Sequence, residues 1–299
     1  MYVVMGASGN TGHIVATSLL NAKHKVRVIG RNAAHLQSLT SKGAEPIIAD
    51  ATDAAALAKA FEGADSAYVM IPPNITSKDP LGYANKVSDA IAAAVQKAGT
   101  KNVVVLSSIG ADLSSGVGPV VGLYNLEQKL NQIANVNVLY LRAGYFMENT
   151  LPQANAIRQM NAVATPLRAD LKLPLIATRD IGTVAAEALL HPTFHGKQIR
   201  ELQGQRDITY TEITAILGKT IGKSDLKYVQ VPDDQFRGAL TQMGMSEAMA
   251  NLLLEMTGSL NAGKMRANEP RTQQTTTETK FETFAGEVFA PAYQHQPAA

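Results

Sequence analysis

The chain opens on an apolar strand, Tyr2 to Met5, that runs straight into Gly6-Ala7-Ser8-Gly9-Asn10-Thr11-Gly12, a glycine-rich turn at the head of a helix. A strand, turn and helix in that order begin a βαβ unit, which commits the first part of the chain to a parallel sheet. Each glycine has a distinct task there. Gly6 allows the sharp exit from the strand, and Gly9 lets a pyrophosphate approach bare backbone. Gly12 lets the helix press on the sheet while the free N–H groups of its first turn face the phosphates. Many strand-to-helix turns carry glycines, so the residues around this one decide its meaning.

A second apolar run, Lys25 to Ile29, follows the helix and ends in Gly30-Arg31-Asn32. Arg31 stands where a dinucleotide-binding unit usually places the acid that reads the adenosine ribose. A carboxylate there would repel a 2′-phosphate, whereas a guanidinium pairs with it, so NADP is expected in preference to NAD. The alternative is an ordinary solvated arginine after a strand.

Apolar runs then alternate with helical patterns. Strands are expected at Tyr2 to Met5, Lys25 to Ile29, Glu45 to Ala49, Ala67 to Ile71, Asn102 to Ser107 and Asn137 to Arg142. Helices are expected at Gly12 to Ala22, Ala33 to Ser41, Ala54 to Phe61, Leu81 to Ala98 and Leu123 to Ile133. With right-handed crossovers this gives an α/β fold, a doubly wound parallel sheet of strand order 3-2-1-4-5-6, with the ligand at the carboxyl edge. The connections on that edge are long after strands four, five and six, as a substrate pocket requires.

Past residue 150 the alternation fades. Helices at Asp180 to His191, Tyr210 to Ile221, Asp234 to Met243 and Ser246 to Thr257, with strands at Ile199 to Gln203 and Leu226 to Val231, read as a smaller α/β lobe. Two domains are therefore expected, 1–150 and 151–299. Residues 258–277 are polar and read as a linker or mobile loop. Phe281, Phe284, Val288 and Phe289 recur at helical spacing and suit a terminal helix that docks by its apolar face.

Composition narrows the function. The 27 basic and 25 acidic side chains leave a net charge of +2, no basic block exceeds two residues and there is no Trp, so nucleic acid is not expected as a direct partner. Cysteine is absent, which removes disulfides, thiolate metal sites and thiol switches. His191 and His195 have ligand-like spacing, but Pro192 and Gly196 make the stretch a turn, so no metal is expected. No run approaches a membrane span and no secretory leader is evident, so a cytoplasmic protein is expected. A Gly-x-Ser-x-Gly elbow and a phosphate-loop lysine are both missing, which leaves hydrolase and kinase readings without support.

Five stretches together resemble the NmrA-like proteins, a branch of the atypical short-chain dehydrogenase/reductases. They are the glycine turn 6–12, Arg31, Ala49 to Asp53, Arg142 to Asn149 and Ile176 to Gly182. The resemblance implies a Rossmann domain with a small C-terminal lobe and a bound NADP or NAD. It implies either a reductase of quinones, azo compounds or similar conjugated small acceptors, or a non-catalytic sensor that binds the nucleotide and regulates a protein partner. It also implies that Asp50 and Ala51 border the adenine, that Met70, Ile71 and Pro72 pass beneath the adenosine and ribose, and that Phe146, Met147, Glu148 and Asn149 line the nicotinamide side. Asp50 and Asp53 have a second reading as caps of the helix at Ala54, as have Thr178 and Asp180 at the helix that follows them.

The usual Tyr and Lys relay of short-chain dehydrogenases is missing. Tyr124 and Lys129 are five apart, which puts them about 140° apart around a helix instead of about 40°. Tyr124 is the first candidate for a catalytic proton donor, with a wall of the pocket as its other reading. Tyr145 and Asn149 are candidate substrate-facing groups, and Ser107 ends strand five where it either joins a relay or gives the nicotinamide room.

Overall fold

The computed structural model describes residues 1–295. Its centre is a parallel sheet of seven strands. Six of them come from the first half of the chain: β1 (Tyr2–Met5), β2 (Val26–Gly30), β3 (Glu45–Ile48), β4 (Ser66–Val69), β5 (Asn102–Ser108) and β6 (Asn137–Ala143). They lie in the order β6-β5-β4-β1-β2-β3, all parallel, as the sequence predicts. The central strands are apolar throughout because both sheet faces are covered, whereas β3 carries Pro46 and exposed side chains as an edge strand can.

One face is covered by α1 (Asn10–Asn21) and the other by α3 (Ala54–Phe61), α4 (Pro80–Ala98) and α5 (Val120–Asn131); the short α2 (Gln37–Thr40) follows a 3₁₀ turn after β2. Local chemistry sets the ends. The Asp53 carboxylate accepts from the Ala55 and Ala56 amides and so starts α3 as a cap. Asp79 does the same for α4, which has Pro80 in its first turn and left-handed Gly99 at its end.

The second half departs from the sequence expectation. The stretch after β6 contains β7 (Tyr145–Phe146), α6 (Gln153–Met160), β8 (Ala162–Thr165) and β9 (Leu173–Ile176), all too short to show a period in sequence. Next, α7 (Thr178–Leu190) packs beside α1 on the main sheet, and β10 (Lys197–Leu202) pairs with β6 as a seventh strand. The helix at Asp180 and the strand at Ile199, both expected in the smaller lobe, thus belong to the main sheet. Ile181, Ala185 and Leu189 of α7 bury against Val15, Leu19 and Tyr68, which holds them there.

A smaller body is built from β11 (Asp207–Ile208), α8 (Tyr210–Thr220), β12 (Lys227–Gln230), α9 (Asp233–Gln242), α10 (Glu247–Asn261) and a terminal helical run, 281–294. It has two short sheets, β11-β9-β7 and β12-β8. Phe281, Phe284 and Phe289 are buried there beside Tyr210 and Leu217, which is the docking their spacing predicts. Residues 258–277 are not a free loop: 258–261 complete α10, and the rest is tied down. The buried Glu201 carboxylate accepts from the Asn268 and Glu269 amides, the Gln203 amide donates to the Thr275 carbonyl at 2.7 Å, and the Arg200 guanidinium donates to Gln274. These bonds form a strap across the edge of β10, invisible in sequence because each is made by backbone far away in the chain.

The two bodies are joined by a clasp. Tyr145 and Phe146 pair with Leu175 and Ile176, and both Oε atoms of Glu148 accept from the Thr178 amide at 3.0 and 3.1 Å. Gly144 lies so close to Pro174 that a Cβ would overlap its carbonyl oxygen. Since that obstacle is backbone, Gly144→Ala is expected to destabilise the protein by about 1–3 kcal/mol, read as a lower urea midpoint. A midpoint equal to that of the native chain would mean the clasp tolerates a wider spacing.

Candidate active site

The glycine turn is built as its sequence requires. Gly6 is left-handed at φ +61°, and its carbonyl accepts from the Gly9 amide at 2.9 Å. A Cβ on Gly12 would collide with the Gly6 carbonyl, so only glycine lets α1 lie this close to β1. Ala7 is buried, Ser8, Gly9 and Asn10 face solvent, and the Thr11 hydroxyl accepts from Tyr68 at 2.8 Å. Gly9 supplies no capping side chain, and among the described residues nothing accepts from the amides of Asn10, Thr11 or Gly12. No acid stands in that first turn. A helix start with free N–H groups and no competing carboxylate fits a pyrophosphate.

Arg31 is exposed just after β2, with no hydrogen bond or ion pair among the described residues. The Asp50 carboxylate lies near it but is occupied by the Thr52 hydroxyl and amide, at 2.6 and 2.8 Å, and these bonds hold its pKa below the usual range. Asp50 thus forms its own turn, while Asp53 is the cap of α3. Ala51 is buried in the core under β3 and β4. Tyr83 of α4 feels both Asp50 and Arg31, and burial raises its pKa. It had no signal in sequence, yet it links the Arg31 end to the cavity described next.

A cavity of about 500 Å³ opens at the carboxyl edge of the sheet. Met70, Ile71 and Pro72 line it, as do Ser107, Tyr145, Phe146 and Asn149. The Met70 sulfur packs under Gly6, so the glycine turn and the cavity share a wall. Met147 and Glu148, expected at the nicotinamide side, face elsewhere. Met147 is buried in the core of the smaller body, and Glu148 bonds the start of α7, where it takes the capping place expected of Thr178. Asp180 accepts from the amide and hydroxyl of Thr279 and so fixes the far end of the strap.

Tyr124 does not line the cavity. Val120 and Leu123 do, and a step of one residue turns a side chain by about 100° around the helix. One turn beyond Leu123, Glu127 of α5 turns to the ends of β5 and β6. The buried Glu127 carboxylate accepts from Arg142 Nε and Nη2 at 3.1 and 2.7 Å and from the Ser107 hydroxyl at 2.6 Å. The Ser107 proton is spent on this ion pair and is not free to serve a relay.

The rest of the lining comes from the smaller body. Met249, Leu253, Met256 and Leu260 form one stripe of α10, and the strap adds Met265 and Arg266. Ser246 ties the start of α10 to the loop after β4, donating from its amide to Ile75 and from its hydroxyl to Ser77. Spacing of that stripe at i, i+4, i+7 and i+11 is visible in the sequence, although not what it faces. Arg266 is the one charged side chain among the lining residues.

The sequence matches the model of the NmrA-like family over residues 2–285. The chain belongs to that family. Among curated relatives of this NmrA-like chain, an NAD(P)H azoreductase of Xenophilus azovorans is 29% identical, with 86% of each protein covered. Quinone oxidoreductase 2 of Escherichia coli (strain K12) is 27% identical over 85% of this chain and 86% of that protein. In fold, the chain resembles an Escherichia coli NADPH-dependent quinone oxidoreductase solved with NADPH, at TM-score 0.80 and 24% identity, covering 97% of this chain and all (100%) of the other. It also resembles the negative transcriptional regulator NmrA solved with NADP, at TM-score 0.73 and 14% identity, covering 98% and 96%. Among the described residues no helix is long and apolar enough to cross a membrane.

The buried pair sets a stability test. Glu127→Ala removes the hydrogen-bonded partner of the buried Arg142 guanidinium and leaves it Asp112 at 3.8 Å and the field of Glu201, and a loss of about 3–5 kcal/mol is expected in urea unfolding. The exposed Lys129–Asp89 pair should cost no more than about 1 kcal/mol when broken by Lys129→Ala. Equal losses would contradict the assignment of Glu127 as the buried counter-ion.

Proposed function

We propose that this chain is an NADPH-dependent reductase that passes hydride to a flat, conjugated acceptor such as a quinone. The observation that carries the reading is the wall shared between the glycine turn and the apolar cavity. Met70 touches Gly6 on one side and lines the cavity on the other, so a dinucleotide that starts at α1 reaches the cavity with its far end. In this reading the amides of Asn10, Thr11 and Gly12 hold the pyrophosphate, Asp50 and Ala51 border the adenine, and Ile71 and Pro72 underlie the ribose. Phe146 and Asn149 wall the far end. A bound nicotinamide would supply the hydride, and the protein supplies orientation and exclusion of water.

The missing Tyr and Lys relay suits this acceptor class. Reduction of a quinone is driven by its own conjugation and needs orientation and one proton more than a dedicated relay. A purely sensing role needs room for the dinucleotide alone, whereas here α10 and the strap add a methionine-rich wall beyond it. Methionine adapts to flat ligands of varied outline. The relatives that reduce azo and quinone compounds support the same reading.

Arg266 at the rim favours acceptors with an acidic substituent. A neutral naphthoquinone is expected to be reduced, its sulfonate to have a lower KM, and a trimethylammonium derivative a higher one, each followed by loss of NADPH absorbance. No NADPH consumption with any quinone or azo dye would overturn the reading. Arg31 carries the cofactor preference. Arg31→Asp is expected to weaken NADPH about ten- to hundredfold, the worth of one charge-assisted contact, with NADH binding retained. Unchanged NADPH affinity would put the 2′-phosphate elsewhere.

A further inference from the structure

The stripe of α10 that roofs the cavity runs from Met249 to Leu260, about 16 Å of helix at a rise of about 1.5 Å per residue. Its two ends stand against different parts of the fold. At the C-terminal end, Leu260 packs in one apolar cluster with Leu173 of β9 and with Tyr145 of β7. The chain beyond stays there, because the Lys264 amide donates to the Ser259 carbonyl at 3.0 Å and Met265 lies against Gly110, just past β5. This is the end, beside Phe146, at which the reductase reading puts the nicotinamide. At the N-terminal end, the Ser246 amide donates to the Ile75 carbonyl at 2.8 Å and so brings the loop after β4 to the head of the stripe.

The roof is also fixed between its ends. Gly118, just before α5, lies so close to Leu252 that a Cβ would overlap its carbonyl oxygen. The Asn261 side chain accepts from the Arg168 amide at 2.9 Å and donates to the Pro166 carbonyl at 3.0 Å. Contacts with backbone therefore set the height of the channel.

Its chemistry is uneven along its length. Arg266, the one charged lining residue, follows Met265 and belongs to the C-terminal end. Toward the other end the roof presents Leu253 and Met249, and the loop after β4 adds Pro72, Pro73 and Ile75. Asn74 is the polar exception in that loop, and its side-chain oxygen is taken by the Thr76 hydroxyl at 3.2 Å. Leu260 is 6% exposed and Ile75 46%, so the apolar lining starts buried at one end and reaches solvent at the other. A polar substituent placed there would lose its water and find no partner on leucine or methionine. A two-ring acceptor set against the nicotinamide fills about half of the length of the stripe.

We infer that the half toward Met249 and Ile75 is a subsite for an aliphatic chain, so the preferred acceptors are quinones that carry an alkyl substituent of about six carbons. The ring then lies toward β7 and the chain toward Ile75. The inference rests on the reductase reading for the ring, whereas the chain is read from the cavity. Methionine adapts its side chain to the outline of what it meets, which suits a flexible substituent.

The test is a series of 2-alkyl-1,4-naphthoquinones from methyl to decyl, titrated by calorimetry into the protein with NADP, which has no hydride to give. The Kd is expected to fall about twofold per carbon up to about hexyl, about thirtyfold in all, and then to level off as the chain leaves the mouth at Ile75. KM with NADPH is expected to follow the same course. Met249→Asp is expected to bring the hexyl-to-methyl ratio of Kd below about threefold. Should that variant not fold, Ile75→Asp, at an exposed position, serves: the ratio is expected to shrink at least about threefold. Equal Kd for methyl and hexyl in the native protein, a gain that continues undiminished to decyl, or a native ratio in the variant tested would overturn the inference. NADPH consumption with one KM for the whole series would overturn it and leave the reductase reading standing. A Kd graded by chain length without any NADPH consumption would defeat the reductase reading and leave the subsite.

Discussion

The contact between Gly12 and the Gly6 carbonyl is the constraint on which the rest of the molecule depends. Because no Cβ stands between them, the first turn of α1 lies directly on the exit of β1. That one approach sets three things together. It leaves the amides of residues 10–12 free at the carboxyl edge, it brings Gly6 against Met70, and it lowers α1 enough for α7 to pack beside it. Gly182 repeats the device on α7, where a Cβ would come within 2.8 Å of the Ile14 Cβ. Anion site, cavity wall and helix layer therefore share an origin.

A second dependency runs through the clasp between Arg142 to Asn149 and Ile176 to Gly182. These two stretches are bonded to each other. Arg142 anchors one end of β6 by its bidentate pair with Glu127, Glu148 bonds Thr178, and β7 pairs with β9. What the clasp presents to the cavity is a small remainder: Tyr145, Phe146 and Asn149. Rigid support behind a few exposed polar atoms is the arrangement that positions a reacting group. Closure from the other side, by α10 and the strap, is held by Ser246 and Glu201 in the same manner, through side chains that bond distant backbone.

The sequence made the first six strands and their order legible because buried parallel strands read as unbroken apolar runs, and the glycines mark one turn without ambiguity. Asp53 and the docking phenylalanines were equally readable, since each acts through its neighbours in the chain or through a simple period. What sequence could not reveal depends on partners remote in the chain. Ile199 looked like a strand but not like the seventh of the main sheet. Residues 258–277 looked free because polar composition says nothing of the carboxylate at Glu201 that binds part of them. Glu148 looked like a site residue because of its motif and Tyr124 because of its place at the start of a helix, yet in one the side chain turns to a helix start and in the other it misses the cavity by one helical step.

Reduction of any acceptor by this protein requires that the turn at residues 6–12 hold a nicotinamide dinucleotide. Titration of the purified protein with NADPH, followed by calorimetry, addresses that directly and needs no acceptor. A saturable single-site isotherm, abolished by Gly12→Val in a variant that still folds, is the result expected. Heat that never saturates for NADPH or NADH, or an isotherm that Gly12→Val leaves intact, would contradict it.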